Sequence, residues 1–512
     1  MTILTTMVIL ATAHADTPKA LLTRAETALE AWDIEGAAKI ASELEDNFPD
    51  DVATRYVEGR VLFEQGAYGR AADLLEQAQA DEDAHLARAA EKAIKDDLRD
   101  ESAHFVLFTR AKDHFLAPYA LDTLEHQYAA LAADFHYAPP DAKIRVEIYD
   151  SPKTLASIST LTESEIKASG TIALCKYNRL MATSPRALVR GYPWLDTMAH
   201  ELTHFFITKR TRNAVPIWVH EGLAKHLETR WRGAGGQSME PGLEELLANG
   251  VRDNNLVTFE RMSPSIAKLP SQEEAALAFA EVETAVEYLR KVGGAGALPK
   301  LLAAFSEGAT DKAAVAAGAG EPYEKFVAGW KAAIAHRPSV SGLSFEAARI
   351  KMKFRDDSSA KAEAERYGYA DVKDPAARKL AHLGELYLTR HRITAAADAY
   401  GRAHKQVGDR SVTLSRRYGL SLLLLSNFAE AERVLAGSVT LYPNEAPAHL
   451  LLARIYTEKK QWDGCVEQTE WANRVDPFDP ELHARWAECA KNAGRSELAT
   501  REAQAAAALT SK

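Results

Sequence analysis

The strongest constraint on the fold is a repeat in the C-terminal part of the 512-residue chain. Pro443 and Pro477 lie 34 residues apart, and each is expected to end a helix because proline cannot donate to the helical hydrogen-bond ladder. Small, leucine and tyrosine side chains recur in the same frame at Leu383, Gly384, Tyr387, Ala396, Tyr400, Ala403, Gly419, Ala431, Leu452, Ala453, Tyr456 and Ala472, and more weakly at Ala487, Ala499 and Ala506. This period predicts pairs of antiparallel helices that bury their apolar faces against neighbouring pairs.

The stretch from about 377 to 510 resembles tetratricopeptide (TPR) arrays. A fainter copy of the frame occurs near the N-terminus, with Ala25, Ala37 and Pro49 in one unit and Gly59 and Ala71 in the next. The resemblance implies all-α repeats over residues 16–98 and 377–512, with a connector over 337–376. It also implies a protein partner that binds through the repeats.

The segment between the repeats has a different periodicity. Residues 104–108 and 144–148 have strand patterns, and the second places three β-branched side chains on one face. Residues 171–183, TIALCKYNRLMAT, predict two strands around a Lys-Tyr-Asn turn. Helical patterns then dominate from 195 to about 335. The sequence therefore predicts a mixed α+β domain over residues 99–336.

Two histidines in this domain have the spacing of a metal site. Within HELTH, His200 and His204 are four residues apart, so a helix offsets them by about 40° around its axis and about 6 Å along it. Their imidazoles can then bind one cation. Glu201 lies one step around the helix, where it can reach a water on the metal without being a ligand. The structural alternative is a pair of surface histidines capped by water.

A second helix is expected to supply the third ligand. Residues 218–224 read WVHEGLA and follow Pro216, which separates the two helices. HELTH followed by this element resembles gluzincin metallopeptidases, and it is closer still to bacterial "peptidase MA-like" domains that often adjoin TPR repeats. The resemblance implies zinc, one ion per chain, held by His200, His204 and Glu221, with Glu201 as general base. His220 is a competing ligand, but a three-histidine site would resemble metzincins, whose glycine turn is absent here.

Other polar residues were candidates for supporting roles. Asp196, four residues before His200, and Glu228, two turns after Glu221, can each accept a proton from a ligand imidazole or be ordinary surface carboxylates. The related domains place an oxyanion-stabilising tyrosine where this chain has Phe279, in AFAEVETAVEYL. Tyr288 and His220 are the candidates to replace that tyrosine.

The predicted architecture is therefore multidomain, with an α+β zincin-like metallopeptidase domain between N- and C-terminal all-α TPR-like helical repeats. Its predicted activity is hydrolysis of a peptide or protein substrate. Endopeptidase action is favoured over aminopeptidase action, because TIALCKYN lacks the G-x-M-E-N strand that captures an N-terminal amine. The alternative function is a TPR scaffold whose peptidase-like domain is weak or inactive, and Phe279 favours it.

Composition limits the partners and the compartment. A net charge of −10 without a long basic run argues against nucleic acid, and no segment has the ~20 apolar residues that span a bilayer. Residues 1–15 combine an apolar stretch with Ala-His-Ala, typical of an export signal for the periplasm or secretion. No basic residue precedes that stretch, so a disordered apolar N-terminus is the alternative. Cys175, Cys465 and Cys489 are predicted to form neither a disulfide framework nor a thiolate zinc site. A role as buried small apolar side chains is favoured, and the odd number leaves at least one of them unpaired.

Overall fold

The computed structural model describes residues 17–139, 143–169, 171–234, 236, 239–340, 342–343, 354–355, 369 and 371–510. The predicted signal segment and most of the predicted connector lie outside these residues. The chain divides into two compact units, residues 1–92 and 93–512. None of the described helices is both long and apolar enough to cross a membrane.

The first unit begins with two helix pairs, α1 Pro18–Glu30 with α2 Ile34–Asn47 and α3 Val52–Glu64 with α4 Tyr68–Gln77. Helix α5 Asp81–Ile94 follows them. Thr17, Asp33 and Asp51 cap the first three helices by accepting hydrogen bonds from backbone N–H groups of the first turn. Leu21, Ala25 and other apolar side chains on the inner faces form its core.

A five-stranded sheet opens the second unit. Its strands are β1 Leu98–Glu101, β2 Phe105–Thr109, β3 Ile144–Tyr149, β4 Ala173–Lys176 and β5 Arg179–Thr183, in the order β1-β2-β3-β5-β4. β2, β3 and β5 are parallel, and both edge strands are antiparallel to their neighbours. Tyr177 and Asn178 form the two-residue turn before β5, both with positive φ, which suits the twist of a hairpin. The predicted strands are confirmed, whereas β1 had not been foreseen.

Helices cover this sheet and extend beyond it. They are α6 Ala117–Phe135, α7 Pro152–Ser157, α8 Glu163–Ser169, α9 Trp194–Thr211, α10 Ile217–Leu227, α11 Pro241–Arg252, α12 Gln272–Gly293, α13 Ala297–Ser306, α14 Asp311–Ala319 and α15 Tyr323–Ile334. α9 packs against α6, α10, β4 and β5. It is buried on most sides, because Ala199, Phe205 and Ile207, which project in different directions around its axis, are each at most 4% exposed.

The second unit ends in four helix pairs. They are α16 Pro375–Thr389 with α17 Ile393–Val407, α18 Val412–Leu424 with α19 Phe428–Leu441, α20 Ala446–Glu458 with α21 Trp462–Asn473, and α22 Pro480–Asn492 with α23 Ser496–Thr510. We call these four pairs the C-terminal array. The 34-residue interval is visible in its contacts, since His449 Nε2 lies 2.9 Å from the Pro443 carbonyl oxygen and His483 Nε2 lies 2.8 Å from that of Pro477. The prediction of helical repeats is confirmed here.

The prediction that the cysteines form no disulfide framework is wrong. Cys465 on α21 and Cys489 on α22 form a disulfide, and both are fully buried. The two residues are 24 positions apart, but the antiparallel packing of successive helices brings their Cα atoms to 6.0 Å. Cys175 is the free cysteine.

The C-terminal array packs against the segment that leads into α9. The Tyr192 N–H donates to the Val475 carbonyl oxygen at 3.0 Å, and the Trp194 indole Nε1–H donates to that of Asn473 at 2.9 Å. Gly191 permits this approach, because a Cβ atom there would lie 2.1 Å from the Val475 oxygen. Its φ of +65° also favours glycine. The array is therefore attached directly to the start of the helix that carries HELTH.

A stack of two tryptophans and two arginines extends this contact. The Arg232 guanidinium lies 5.3 Å from the ring of Trp231 and 4.9 Å from that of Trp471 on the array. Arg474, also on the array, lies 5.3 Å and 4.5 Å from the same two rings. Such cation–π contacts are strongest where they exclude water.

Candidate metal centre

His200 and His204 project from the same face of α9. Their Nε2 atoms are 3.1 Å apart, and both side chains are largely buried. Since the two residues are separated by one helical turn, the local backbone alone brings the imidazoles together. The sequence prediction therefore anticipated this pair.

Helix α10 brings Glu221 to the two imidazoles. Its Oε2 atom lies 3.5 Å from His200 Nε2 and 3.6 Å from His204 Nε2. α10 follows α9 after five residues and begins after Pro216. Gly222 lets α10 approach α12 closely, because a Cβ there would lie 2.8 Å from the Val282 carbonyl oxygen. Gly222 therefore permits a close crossing of α10 and α12.

The three donor atoms have the spacing of a metal site. Separations of 3.1–3.6 Å match the edge of a tetrahedron around zinc, about 3.3–3.4 Å for bonds of 2.0–2.1 Å. Burial alone would raise the pKa of Glu221, but the imidazoles of His204 and His200 hold it well below its usual range. Within the part of the chain that the structure describes, this is the one group of three that could hold an ion.

The second nitrogen of His200 is paired with Glu228. His200 Nδ1 lies 3.1 Å from Glu228 Oε2, and the Lys225 ammonium donates to the other oxygen at 2.5 Å. Burial would raise the pKa of Glu228, but Lys225 and His200 lower it. Asp196 does not take this place, because its carboxylate accepts from Trp231 Nε1 and pairs with Arg232. Of the two carboxylates considered from sequence, the structure brings Glu228 to the histidine.

His220 contacts the second nitrogen of His204. The two Nδ1 atoms are 2.5 Å apart, and His220 Nε2 lies 3.2 Å from the hydroxyl oxygen of Thr208. His220 therefore lies behind His204, away from the side on which the three donors meet. Burial and the neighbouring His204 lower the pKa of His220 to about 3, so the ring is neutral.

The Glu201 side chain extends from α9 towards β4, the edge strand of the sheet. The Cys175 backbone N–H on β4 donates to its carboxylate, and the side chain is 8% exposed. Burial raises the pKa of Glu201, although His204 and His200 oppose that shift. The sequence could not indicate that Cys175 contacts this site, because the hydrogen bond comes from its backbone and does not depend on the side chain.

Phe279, at the position of the oxyanion tyrosine of the related domains, and Tyr288, a candidate to replace that tyrosine, both lie on α12. Tyr288 faces α15, where its ring is 5.6 Å from that of Phe326 and its hydroxyl fills the space beside Gly329. The structure therefore does not bring Tyr288 to the histidines. Phe279 is half-buried and has no hydroxyl to donate.

We expect metal binding to release one proton from His200. Burial would lower its pKa, but hydrogen bonds to Glu221 and Glu228 outweigh that effect and raise it to about 10. Because a proton on Nε2 competes with the cation, affinity should increase about tenfold for each pH unit between pH 6 and pH 8. Calorimetric titration with zinc in buffers of different ionisation enthalpy counts the protons. A binding constant that does not change over this range would contradict the prediction.

Helices α9 and α10 thus present two imidazoles and a carboxylate beside the edge strand of a mixed sheet. Residues 126–336 match the family model described as Peptidase MA superfamily. The chain thus contains a peptidase MA-like domain.

The solved structures that match this chain have low sequence identity and low TM-scores. A solved structure titled "MamA 41-end from Desulfovibrio magneticus RS-1" is 21% identical, with a TM-score of 0.25 over 29% of this chain and 85% of that chain. "Crystal structure of MamA" is 16% identical, with the same TM-score over 30% of this chain and 93% of that chain. None of the curated proteins matches the sequence.

Proposed function

We propose that the protein is a zinc-dependent metallopeptidase with one ion per chain, held by His200, His204 and Glu221. The observation that supports this most directly is the meeting of three donor atoms within 3.1–3.6 Å, with Glu201 adjacent on α9. Two neutral imidazoles and a carboxylate leave an open coordination position, as in catalytic rather than structural zinc sites. A bound zinc ion would supply Lewis acidity that activates water and polarises a carbonyl group.

Glu201 is the proposed general base. Its burial raises its affinity for a proton, so it can accept one from the attacking water and deliver it to the leaving amine. The hydrogen bond from the Cys175 backbone N–H acts in the opposite direction and lowers the pKa of the same carboxylate slightly. Glu228 holds the His200 imidazole in orientation from the side opposite the donor cluster.

The proposed substrate is an extended segment of polypeptide. β4 is an edge strand, and the Ile172 carbonyl accepts from the Thr183 N–H of β5. Since successive residues of a strand point their backbone groups to alternate sides, the N–H and C=O of Ala173 face the open edge. A peptide can add to this edge as a further strand. An edge that binds the middle of a chain suits an endopeptidase.

Export and a protein partner are also part of the proposal. The buried Cys465–Cys489 disulfide supports an oxidising compartment such as the periplasm or the exterior, because cytosolic thiols are kept reduced. The partner would bind the C-terminal array. The negative net charge supports a protein rather than a nucleic acid.

A second candidate function rests on Phe279. If catalysis needs a tyrosine hydroxyl on α12, this chain lacks it at that position, and Tyr288 is directed to α15. The domain would then bind zinc without hydrolysing peptides, and the protein would be a scaffold.

Metal analysis of the purified protein tests the site itself. Wild-type protein made with ample zinc should contain about one zinc per chain, and the double variant His200→Ala/His204→Ala should contain none. His226→Ala is the matched control, because His226 is a partly buried histidine on α10 whose Nε2 lies 3.4 Å from Arg290 Nη1, outside the donor cluster. Wild-type protein without metal, or with a stoichiometric amount of iron instead of zinc, would contradict the proposal.

A further inference from the structure

We infer that His220 is a positioning residue that keeps His204 in the tautomer required for metal binding. This inference rests on the proposed zinc site. It assigns a role to a side chain that is adjacent to a proposed ligand in sequence but does not reach the donor cluster in space.

The contacts form a chain across two helices. His204 Nδ1 meets His220 Nδ1 at 2.5 Å, and His220 Nε2 meets the Thr208 hydroxyl at 3.2 Å. Thr208 is 5% exposed and lies one turn beyond His204 on α9. The His204 and His220 rings are 4.7 Å apart and tilted by 35°, which agrees with an edge contact through the two nitrogens. The His220 ring therefore contacts two residues of α9, His204 through Nδ1 and Thr208 through Nε2.

The direction of the hydrogen bonds follows from the donor cluster. His204 can offer a lone pair at Nε2 only if its proton is on Nδ1. The Nδ1–H must then donate to His220 Nδ1, which has to be unprotonated. The proton of the neutral His220 ring is consequently on Nε2, from where it donates to Thr208. One arrangement of protons satisfies every contact, and it leaves His204 Nε2 free to bind a cation.

The partner of His204 is less usual than that of His200. His200 is backed by a carboxylate, Glu228, which increases the electron density on the imidazole. A neutral imidazole behind His204 fixes the orientation without adding a charge. Helix α10 and the residue directly after it supply the third donor, Glu221, and the groups that contact the two ligand histidines from the other side, His220 and Glu228. Lys225, which pairs with Glu228, lies on the same helix.

The test compares zinc affinity, measured by competition with a chelator, among variants of the full chain. His220→Leu removes the acceptor and should weaken zinc binding about 10–100-fold. His220→Asn should restore most of the affinity, because its amide oxygen is as far along the side chain as Nδ1 and can accept from His204. Thr208→Val breaks only the outer contact and should have a smaller effect, a few-fold. His226→Leu, on the same helix, should bind as wild type does.

The outcomes separate this inference from the proposed function. Wild-type protein that binds no zinc would overturn both. Zinc binding that is equal in wild type and His220→Leu would overturn the positioning role and leave the site intact. If His220→Leu does not fold, His220→Asn and Thr208→Val are each compared with wild type. Zinc binding weakened more than 100-fold in His220→Asn, or unchanged in Thr208→Val, would overturn the role.

Discussion

Glu201→Gln should lower the rate of peptide hydrolysis about 10³-fold or more while leaving the zinc content at one per chain. The substitution keeps the shape of the side chain and can still accept the Cys175 N–H, but an amide cannot take a proton from water. Because Glu201 is absent from the donor cluster, metal binding should not depend on it. The loss should appear in kcat rather than in KM.

The measurement is the cleavage of an unfolded protein, followed in time beside metal analysis of each sample. Glu281→Gln is a matched control, because Glu281 is also a buried carboxylate that accepts a backbone N–H, that of Val257. Burial raises its pKa to about 8, so it is already largely neutral at pH 7 and the exchange changes little. Equal cleavage by wild type and Glu201→Gln would remove the peptidase proposal. The scaffold function would then account for the domain.

The parts of the site that depend on local spacing could be foreseen. His200 and His204 meet because they are one turn apart, and any helix through HELTH would place them together. Glu221 was expected on different grounds, the resemblance of WVHEGLA to a known element. Where two residues competed, the sequence left the answer open, since both Asp196 and Glu228 are at helical spacing from a proposed ligand.

The features that could not be foreseen depend on long-range packing. Asp196 is directed away from His200 because Trp231 and Arg232 take up both of its oxygens, and no local pattern indicates that pairing. The disulfide joins successive helix pairs, so it depends on how the repeats stack. Likewise, Tyr288 is drawn to α15 by the ring of Phe326 and the space at Gly329. In each case the deciding partner lies far away in sequence or on another element.

The attachment of the C-terminal array to α9 leads to the second large prediction. Trp194 is the first residue of α9, is 1% exposed and donates to the Asn473 carbonyl on the array. Trp194→Ala should lower the free energy of unfolding by about 3–5 kcal/mol, since it leaves a cavity and an unpaired carbonyl. Trp194→Phe should cost about 1–3 kcal/mol, because it retains most of the aromatic side chain but leaves the buried Asn473 carbonyl unpaired.

Amide hydrogen exchange identifies which helices are destabilised by Trp194→Ala. If the C-terminal array stabilises α9, Trp194→Ala should speed exchange both in α9 and in α21. The affinity for zinc should also fall in this variant. Trp218→Ala is the matched control, because Trp218 is 5% exposed and stacks on Phe259 at 4.1 Å within the peptidase-like domain. It should speed exchange around α10 and leave α21 unchanged. Faster exchange confined to α9 in Trp194→Ala would instead mean that the array is an independent arm, whose attachment contributes nothing to the metal site.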